Sequence, residues 1–216
     1  MPAESTIRVV LADDHAMVRQ ALARILEDSG RICVVAQAGG GQQAIEEARA
    51  SHPHVMVLDY SLGDRDAPGV IEQLLREQPA IRILVLTVHE NLHYAVRILE
   101  SGAHGYVIKS AAVEELLDAI RTVYNGGIYV SPAVSSAVLE SLRRPKRERV
   151  GLAALSQREF DFLRHLGAGR SLQECSEQMK ISTSTASTYR ARILEKLNLK
   201  STQELIRYAL EHQIDG

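Results

Sequence analysis

Val55-Met56-Val57-Leu58-Asp59 is a run of four apolar residues that stops at a carboxylate. Such a run suits a strand buried on both faces, as in a parallel sheet covered by helices. In an open parallel sheet, ligands and reactive groups gather just beyond the carboxyl ends of the strands. Asp59 is therefore a candidate for chemistry, although turn formation or helix capping is the plainer role for an aspartate after a strand. The ends of the other strands decide between the two.

Outward from this run, apolar segments alternate with helical spacing through the first 125 residues. Ile7 to Ala12, Ile32 to Ala36, Val55 to Asp59, Ile83 to Leu86 and Gly105 to Ile108 read as short buried strands. Between the first two, Val18, Leu22, Ile25 and Leu26 recur at helical spacing. Five strands alternating with helices predict a doubly wound, five-stranded parallel α/β sheet, whose right-handed crossovers bring all strand ends to one edge. The first strand then leads into Asp13-Asp14, the third ends in Asp59, the fourth runs into Thr87 and the fifth into Lys109. Three carboxylates at one edge repel one another unless a cation sits among them. A hard divalent ion with oxygen ligands, Mg2+ above all, meets that need. Asp59 then becomes a candidate nucleophile for aspartyl-phosphate chemistry. Thr87 would donate a hydrogen bond to a phosphoryl oxygen, and Lys109 would pair with it.

On Asp13-Asp14, Asp59, Thr87 and Lys109, residues 6 to 125 resemble the flavodoxin-like receiver domain of bacterial two-component response regulators. The resemblance implies that Asp59 accepts a phosphoryl group from a sensor histidine kinase. It also implies that Asp13, Asp14, Asp59 and the Ser61 carbonyl hold Mg2+, and that Thr87 and Tyr106 form a switch pair. Plainer roles stay open for each residue alone: a helix cap for Asp13 or Asp14, a loop hydrogen bond for Thr87, packing for Tyr106, a solvated charge for Lys109. One departure stands out. The family usually carries proline four residues after the acceptor, whereas this chain has Gly63 there and about two extra residues before Pro68-Gly69, among them the charges Asp64, Arg65 and Asp66.

Residues 126 to 150 read as a connector. Gly126-Gly127 closes the last receiver helix, Ser131-Pro132 opens a short helix to about Leu142, and Arg143 to Arg149 is a basic, proline-broken linker. Beyond Leu155 no strand signal remains. Ser156 with Glu159, Ser171 with Glu174 and Ser201 with Glu204 carry the capping-box pattern, and Ser182 is a fourth cap. Four helices are expected, near 157–166, 172–179, 183–197 and 202–212, with the second and third close enough to form a helix-turn-helix.

On the third of these helices Ala186, Ile193 and Leu197 share a packed face, which leaves Ser184, Ser187, Thr188, Ala191 and Arg192 toward solvent or DNA. Arg190, Arg192, Lys196 and Lys200 give the region a positive balance suited to phosphates. Together with Leu155-Ser156-Gln157-Arg158-Glu159, Gly169, Ile181-Ser182 and Ile193-Leu194-Glu195-Lys196-Leu197, residues 151 to 216 resemble the LuxR-type helix-turn-helix domain. The segment Thr185-Ala186-Ser187-Thr188-Tyr189 departs from the family's usual Thr-Val-Lys-x-His. By the resemblance Ser187, Thr188 and Ala191 fall at base-reading positions, yet none can make a bidentate guanine contact. Phosphate anchoring by Tyr189, Arg190, Arg192 and Lys200, with DNA shape, is expected to carry much of the affinity.

Composition agrees with a two-part chain. At 216 residues, 45% hydrophobic and 24% charged, it has the balance of an ordinary soluble globular protein. No apolar run approaches the roughly 20 residues of a membrane span, the first six residues lack the zones of a signal peptide, and a cytoplasmic location is expected. Residues 1 to 125 carry 11 Lys and Arg against 17 Asp and Glu, residues 126 to 150 carry 5 against 2, and residues 151 to 216 carry 9 against 8. Cys33 and Cys175 lack metal-ligand spacing and read as reduced packing residues.

The two resemblances together imply a NarL/FixJ-type response regulator. They imply a phosphorylation-controlled transcription factor, not an enzyme, that binds double-stranded DNA as a homodimer when phosphorylated and leaves RNA polymerase open as a further partner. A Mg2+-dependent phosphotransferase or phosphatase would want a substrate pocket or lid that residues 1 to 125 have no insertion to supply. A degenerate receiver serving as a constitutive dimerisation module is the other alternative; the complete acid, hydroxyl and lysine set argues against it.

Overall fold

The structure, a computed structural model, describes residues 6–143 and 150–214. The linker residues 144–149 lie outside them. The chain divides into two compact units, Met1–Leu139 and Glu140–Gly216, and each is built by its own pattern.

The first unit is a parallel sheet of β1 (Ile7–Ala12), β2 (Ile32–Ala38), β3 (Val55–Asp59), β4 (Arg82–Thr87), β5 (Gly105–Ile108) and β6 (Tyr129–Val130). The order is β2-β1-β3-β4-β5-β6, and every pairing is parallel. The order reverses between β1 and β3, which opens a crevice at their carboxyl ends. All five residues of β3 are buried, as its unbroken apolar run requires of a central strand. The helices are α1 (Ala16–Asp28), α2 (Gly41–Ser51), α3 (Ala67–Glu77), α4 (Leu92–Glu100) and α5 (Val113–Tyr124). Ala23 and Leu26 of α1 and Leu116, Ala119, Ile120 and Val123 of α5 pack with Val9, Leu11, Val55, Val57, Leu84 and Val107 on one sheet face. The alternate strand residues Val10, Met56, Leu58 and Val85 are equally buried on the other face.

The five expected strands are present, and a sixth, β6, extends the sheet beyond them. Two residues are too few to show a periodicity; what defines β6 is its pairing with β5, Gly105 to Tyr129 and Tyr106 to Val130. Ser131 continues the edge. Its amide donates to the Tyr106 carbonyl at 2.9 Å, its hydroxyl accepts from the Ile108 amide at 3.2 Å, and the hydroxyl also donates to Glu115 Oε1 of α5. The connector thus begins as part of the sheet. It continues into α6 (Pro132–Arg143), close to the expected helix. Cys33 corrects the reading of both cysteines as packing residues. It is exposed, because β2 is an edge strand and this position faces outward, whereas Cys175 is buried.

The second unit contains a short 3-10 turn, Gly151–Ala154, then α7 (Gln157–Gly167), α8 (Leu172–Gln178), α9 (Thr183–Leu197) and α10 (Thr202–Glu211). Phe160, Phe162, Leu163 and Leu166 of α7, Cys175, Ala186, Ile193, Leu205 and Ala209 are buried. The boxes at Ser156 and Ser171 close in both directions. The third does not. Ser201 accepts from the Glu204 amide, but the Glu204 carboxylate takes the Lys200 amide at 2.7 Å instead of that of Ser201. Glu204 still caps a free donor, one residue further out.

Candidate functional site

Strand register assembles the pocket. Ala12 pairs with Leu58, so Asp13 and Asp59 follow side by side; Thr87 pairs with Ile108, so Lys109 follows next to it. Asp13 is 3% exposed and Asp59 4%. Lys109 Nζ lies 2.8 Å from Asp13 Oδ2 and 2.8 Å from Asp59 Oδ2. Its amide is held by the Thr87 carbonyl at 2.6 Å, which fixes the lysine backbone across from the fourth strand. Burial raises the Asp59 pKa above the ordinary carboxylate range against the opposing pull of Lys109. Burial alone would lower the Lys109 pKa, but its bonds to Asp13 and Asp59 outweigh it and the pKa is raised.

Asp14, more open than its neighbour, stands at the mouth. His15 Nδ1 lies 2.6 Å from Asp14 Oδ1, and the His15 amide donates to Asp13 Oδ1 at 2.8 Å. Asp13, Asp14, His15 and Asp59 offer ligand atoms that all lie within 4.8 Å of one another. Lys109 sets one positive charge against three carboxylates, so the set still favours a cation, and its oxygens are the hard donors that Mg2+ takes. The three expected carboxylates, Asp13, Asp14 and Asp59, suit that ion. His15 was not foreseen in the sequence, where a histidine after two acids opening a helix carries no distinctive signal.

Thr87 is fully buried, and its Oγ1 accepts from the His89 amide at 3.0 Å. Tyr106 is also fully buried. Its hydroxyl donates to the His89 carbonyl at 2.7 Å and is hydrogen-bonded with the Thr87 side chain. Burial raises the phenol pKa far above its ordinary value. His89 stacks on Tyr94, with centroids 4.2 Å apart and planes 9° from parallel. Tyr60 meets both rings edge-on, 5.5 Å from His89 and 5.0 Å from Tyr94. Thr87 and Tyr106, which sequence alone placed on two strands, are joined through the residue two after the threonine. His89, Tyr60 and Tyr94 went unnoticed because isolated aromatics in loops and helices have no spacing to betray a cluster.

The unusual loop after Asp59 is tied down by hydrogen bonds. Ser61 and Asp66 form an antiparallel bridge, and Leu62 is buried. Asp66 caps α3 through the Gly69 amide, and Pro68 lies in the first turn, where a missing N–H costs nothing. Asp64 accepts from the Gly41 amide at 2.7 Å and the Gln42 amide at 3.0 Å, and Arg65 reaches Gln42 Oε1 at 3.1 Å. The added charges therefore work on helix ends.

In the second unit, Ser184, Thr188, Ala191 and Arg192 are exposed on α9 and Ser187 is half-buried, while Ala186 and Ile193 face inward and Leu197 is half-buried. The Thr188 hydroxyl bonds back to the Ser184 carbonyl at 3.0 Å. At about 100° per residue, Arg190 lies well round the helix from Arg192; it reaches Thr202 Oγ1 of α10 at 3.5 Å. Tyr189 tilts against Phe162, 6.2 Å between centroids. Lys200 is exposed beyond the helix end. Lys196, expected among the phosphate contacts, is turned to another use. Its Nζ lies 2.7 Å from the carboxylate of buried Glu159 and 3.2 Å from the Ala154 carbonyl.

With this geometry in view, the comparisons with known proteins agree in both parts. The chain matches the family described as response regulator receiver domain over residues 9–121, and that described as bacterial regulatory proteins, luxR family, over 153–209. It is 34% identical over 206 residues to the response regulator UvrY of Escherichia coli O6:H1, across 95% of this chain and 94% of that one. It is 34% identical over 206 residues to the response regulator GacA of Pseudomonas aeruginosa, across 95% and 96%. Among solved structures, RcsB of Salmonella enterica serovar Typhimurium, bound to a promoter in the presence of the phosphomimetic BeF3-, is 25% identical with a TM-score of 0.73, covering 94% of this chain and 98% of that one. The chain belongs to the two-component response regulators of the NarL/FixJ type, a receiver domain followed by a LuxR-family DNA-binding domain.

Proposed function

We propose that Asp59 is the phosphoryl acceptor and that its modification controls DNA binding through α9. The observation that carries this reading is the position of Lys109, 2.8 Å from both buried carboxylates. A side-chain ammonium fixed beside the acceptor is placed to pair with a phosphoryl oxygen once the Asp59 charge has been consumed in an acyl phosphate. In the reaction, an Asp59 carboxylate oxygen attacks the phosphorus of a phosphohistidine on a sensor kinase. The new bond is P–O, the bond broken is P–N, and the electron pair leaves on the imidazole nitrogen, which takes a proton. Asp13, Asp14, Asp59 and the Ser61 carbonyl would hold Mg2+, which when bound neutralises charge on the transferring group.

The chain's own residues do the rest. Lys109 transfers its pairing from the Asp59 carboxylate to the phosphoryl group. The Thr87 hydroxyl turns its proton from Tyr106 toward a phosphoryl oxygen, and Tyr106 keeps its bond to the His89 carbonyl. The loop after β4 then follows Thr87, because the His89 amide donates a hydrogen bond to the Thr87 hydroxyl and the His89 ring packs on Tyr94 and against Tyr60. The promoter complex of RcsB supports a DNA-binding role for the second unit, with Arg190, Arg192 and Lys200 as exposed cations for phosphates, Tyr189 preceding them in sequence, and Ser184, Ser187, Thr188 and Ala191 at the groove. Pairing of two copies on repeated half-sites follows from the same family membership, as does action in the cytoplasm; no helix among the described residues is long and apolar enough to cross a membrane. Incubation with a radiolabelled phosphodonor tests the acceptor directly. Labelling is expected in the wild type and lost in Asp59→Asn, and undiminished labelling of the variant removes Asp59 from the role.

A further inference from the structure

The structure assigns Asp64 as a positioning residue for the phosphoryl chemistry, clamping the β3–α3 loop to the first turn of α2 and so fixing the mouth of the acidic pocket. The inference rests on Asp59 being the acceptor and goes beyond it, since it concerns how long the phosphoryl group survives and how tightly the pocket takes its cation.

A surface loop with added residues is ordinarily mobile. Here the loop is held at both ends. On the α2 side, Gly40 stands at the helix N-cap and has no side chain to satisfy the first amides. Asp64 supplies the missing cap from another element, one carboxylate oxygen to the Gly41 amide and the other to the Gln42 amide. Burial alone would raise its pKa, but the amides of Gln42 and Gly41 hold it below the ordinary range, so the clamp carries its full negative charge at a helix N-terminus. The fit is close. A Cβ on residue 40 would meet Asp64 Oδ1 at 2.9 Å, so glycine there lets the loop approach.

On the pocket side, Gly63 turns the chain with φ +71°, and a Cβ built on it points within 3.7 Å of Asp14 Oδ2. Between Ser61 and Asp64 lie only Leu62, which is buried, and Gly63, and Ser61 is itself bridged to Asp66. Ser61, the expected carbonyl ligand, is therefore on a strap whose far end is fastened by Asp64. Releasing it leaves the backbone beside Asp14 and Asp59 free to move and water free to reach the acyl phosphate.

The test uses the full chain with Mg2+ alone, measured by titration calorimetry, and with acetyl phosphate as donor, measuring the half-life of the label after donor removal. Asp64→Ala is expected to weaken Mg2+ binding or shorten the half-life by roughly tenfold, the scale of losing a group that orients a metal ligand. Asp64→Asn keeps an acceptor and should fall between. Gly40→Ala, which pushes on the same carboxylate from the α2 side, should act in the same direction. Asp66→Ala removes the cap of α3 without freeing α2; it should lower the melting temperature and leave both readouts near wild type. The clamp is overturned if Asp64→Ala and Gly40→Ala leave Mg2+ affinity and half-life unchanged, or if Asp66→Ala moves them equally. A wild type that neither binds Mg2+ nor takes label overturns the acceptor and the clamp together, whereas a labelled wild type with unresponsive Asp64 variants overturns the clamp alone.

Discussion

His165 lies half-buried on α7 with Arg170 hydrogen-bonded to its Nδ1. Burial, with the charges of Arg164 and Arg170, lowers its pKa from 6.5 to about 4. Between those values the unfolded chain binds a proton that the folded domain refuses. The contribution of the neutral imidazole is thus complete above the unfolded pKa and is lost as pH falls toward the folded one. We expect the unfolding free energy of the wild type, read from urea titrations, to fall across this window more steeply than that of His165→Gln, by about 1 kcal/mol after allowance for solvent screening. Parallel profiles would remove His165 as the titrating group. At this scale the pocket was legible from residue type at strand ends: Asp13, Asp14, Asp59, Thr87 and Lys109 all stand where the alternation of strands and helices put them. Lys196 was not. Only tertiary packing brings Glu159 close enough to claim its ammonium, and a basic residue on a helix face does not declare which neighbour it answers.

Elements whose signal is spread over many residues were read closely; those made by a single contact were not. Helix α9 runs Thr183–Leu197, as its cap and apolar spacing require, whereas β6 and the third capping box depend on hydrogen bonds that no spacing encodes. Ser131 is the residue on which β6 turns, since it accepts from Ile108 and donates to Glu115. Ser131→Ala strands the Ile108 amide and is expected to cost about 1–2 kcal/mol in urea unfolding. Because the same residue is bonded to the Tyr106 carbonyl and the Ile108 amide and leads into α6, the variant should also lose part of the gain in DNA affinity on phosphorylation while labelling at Asp59 is retained. An unaltered gain would make the contact purely structural.

For the whole molecule, the receiver carries the acidic excess and the second unit carries the basic side chains proposed for DNA phosphates, so salt dependence is the measurement that reads the second unit through the intact protein. Arg192→Ala should weaken binding across unrelated sequences and reduce the slope of log affinity against log salt by about one. Lys196→Met should leave that slope near wild type and lower thermal stability, since the lysine neutralises buried Glu159. Equal slope changes in the two variants would return Lys196 to the DNA contacts.

The sixth strand has a consequence for dividing the molecule. The receiver family match ends at residue 121, and the first compact unit runs to Leu139. A receiver cut after residue 121 or 125 loses β6 and leaves the ladder of β5 without its neighbour, a bare strand edge ready to pair with another chain. Light scattering should find that fragment self-associating with concentration, independent of any phosphodonor, while the fragment ending at Leu139 stays monodisperse. Dimerisation measured on the shorter piece would then report an artificial seam, not a pairing of intact chains.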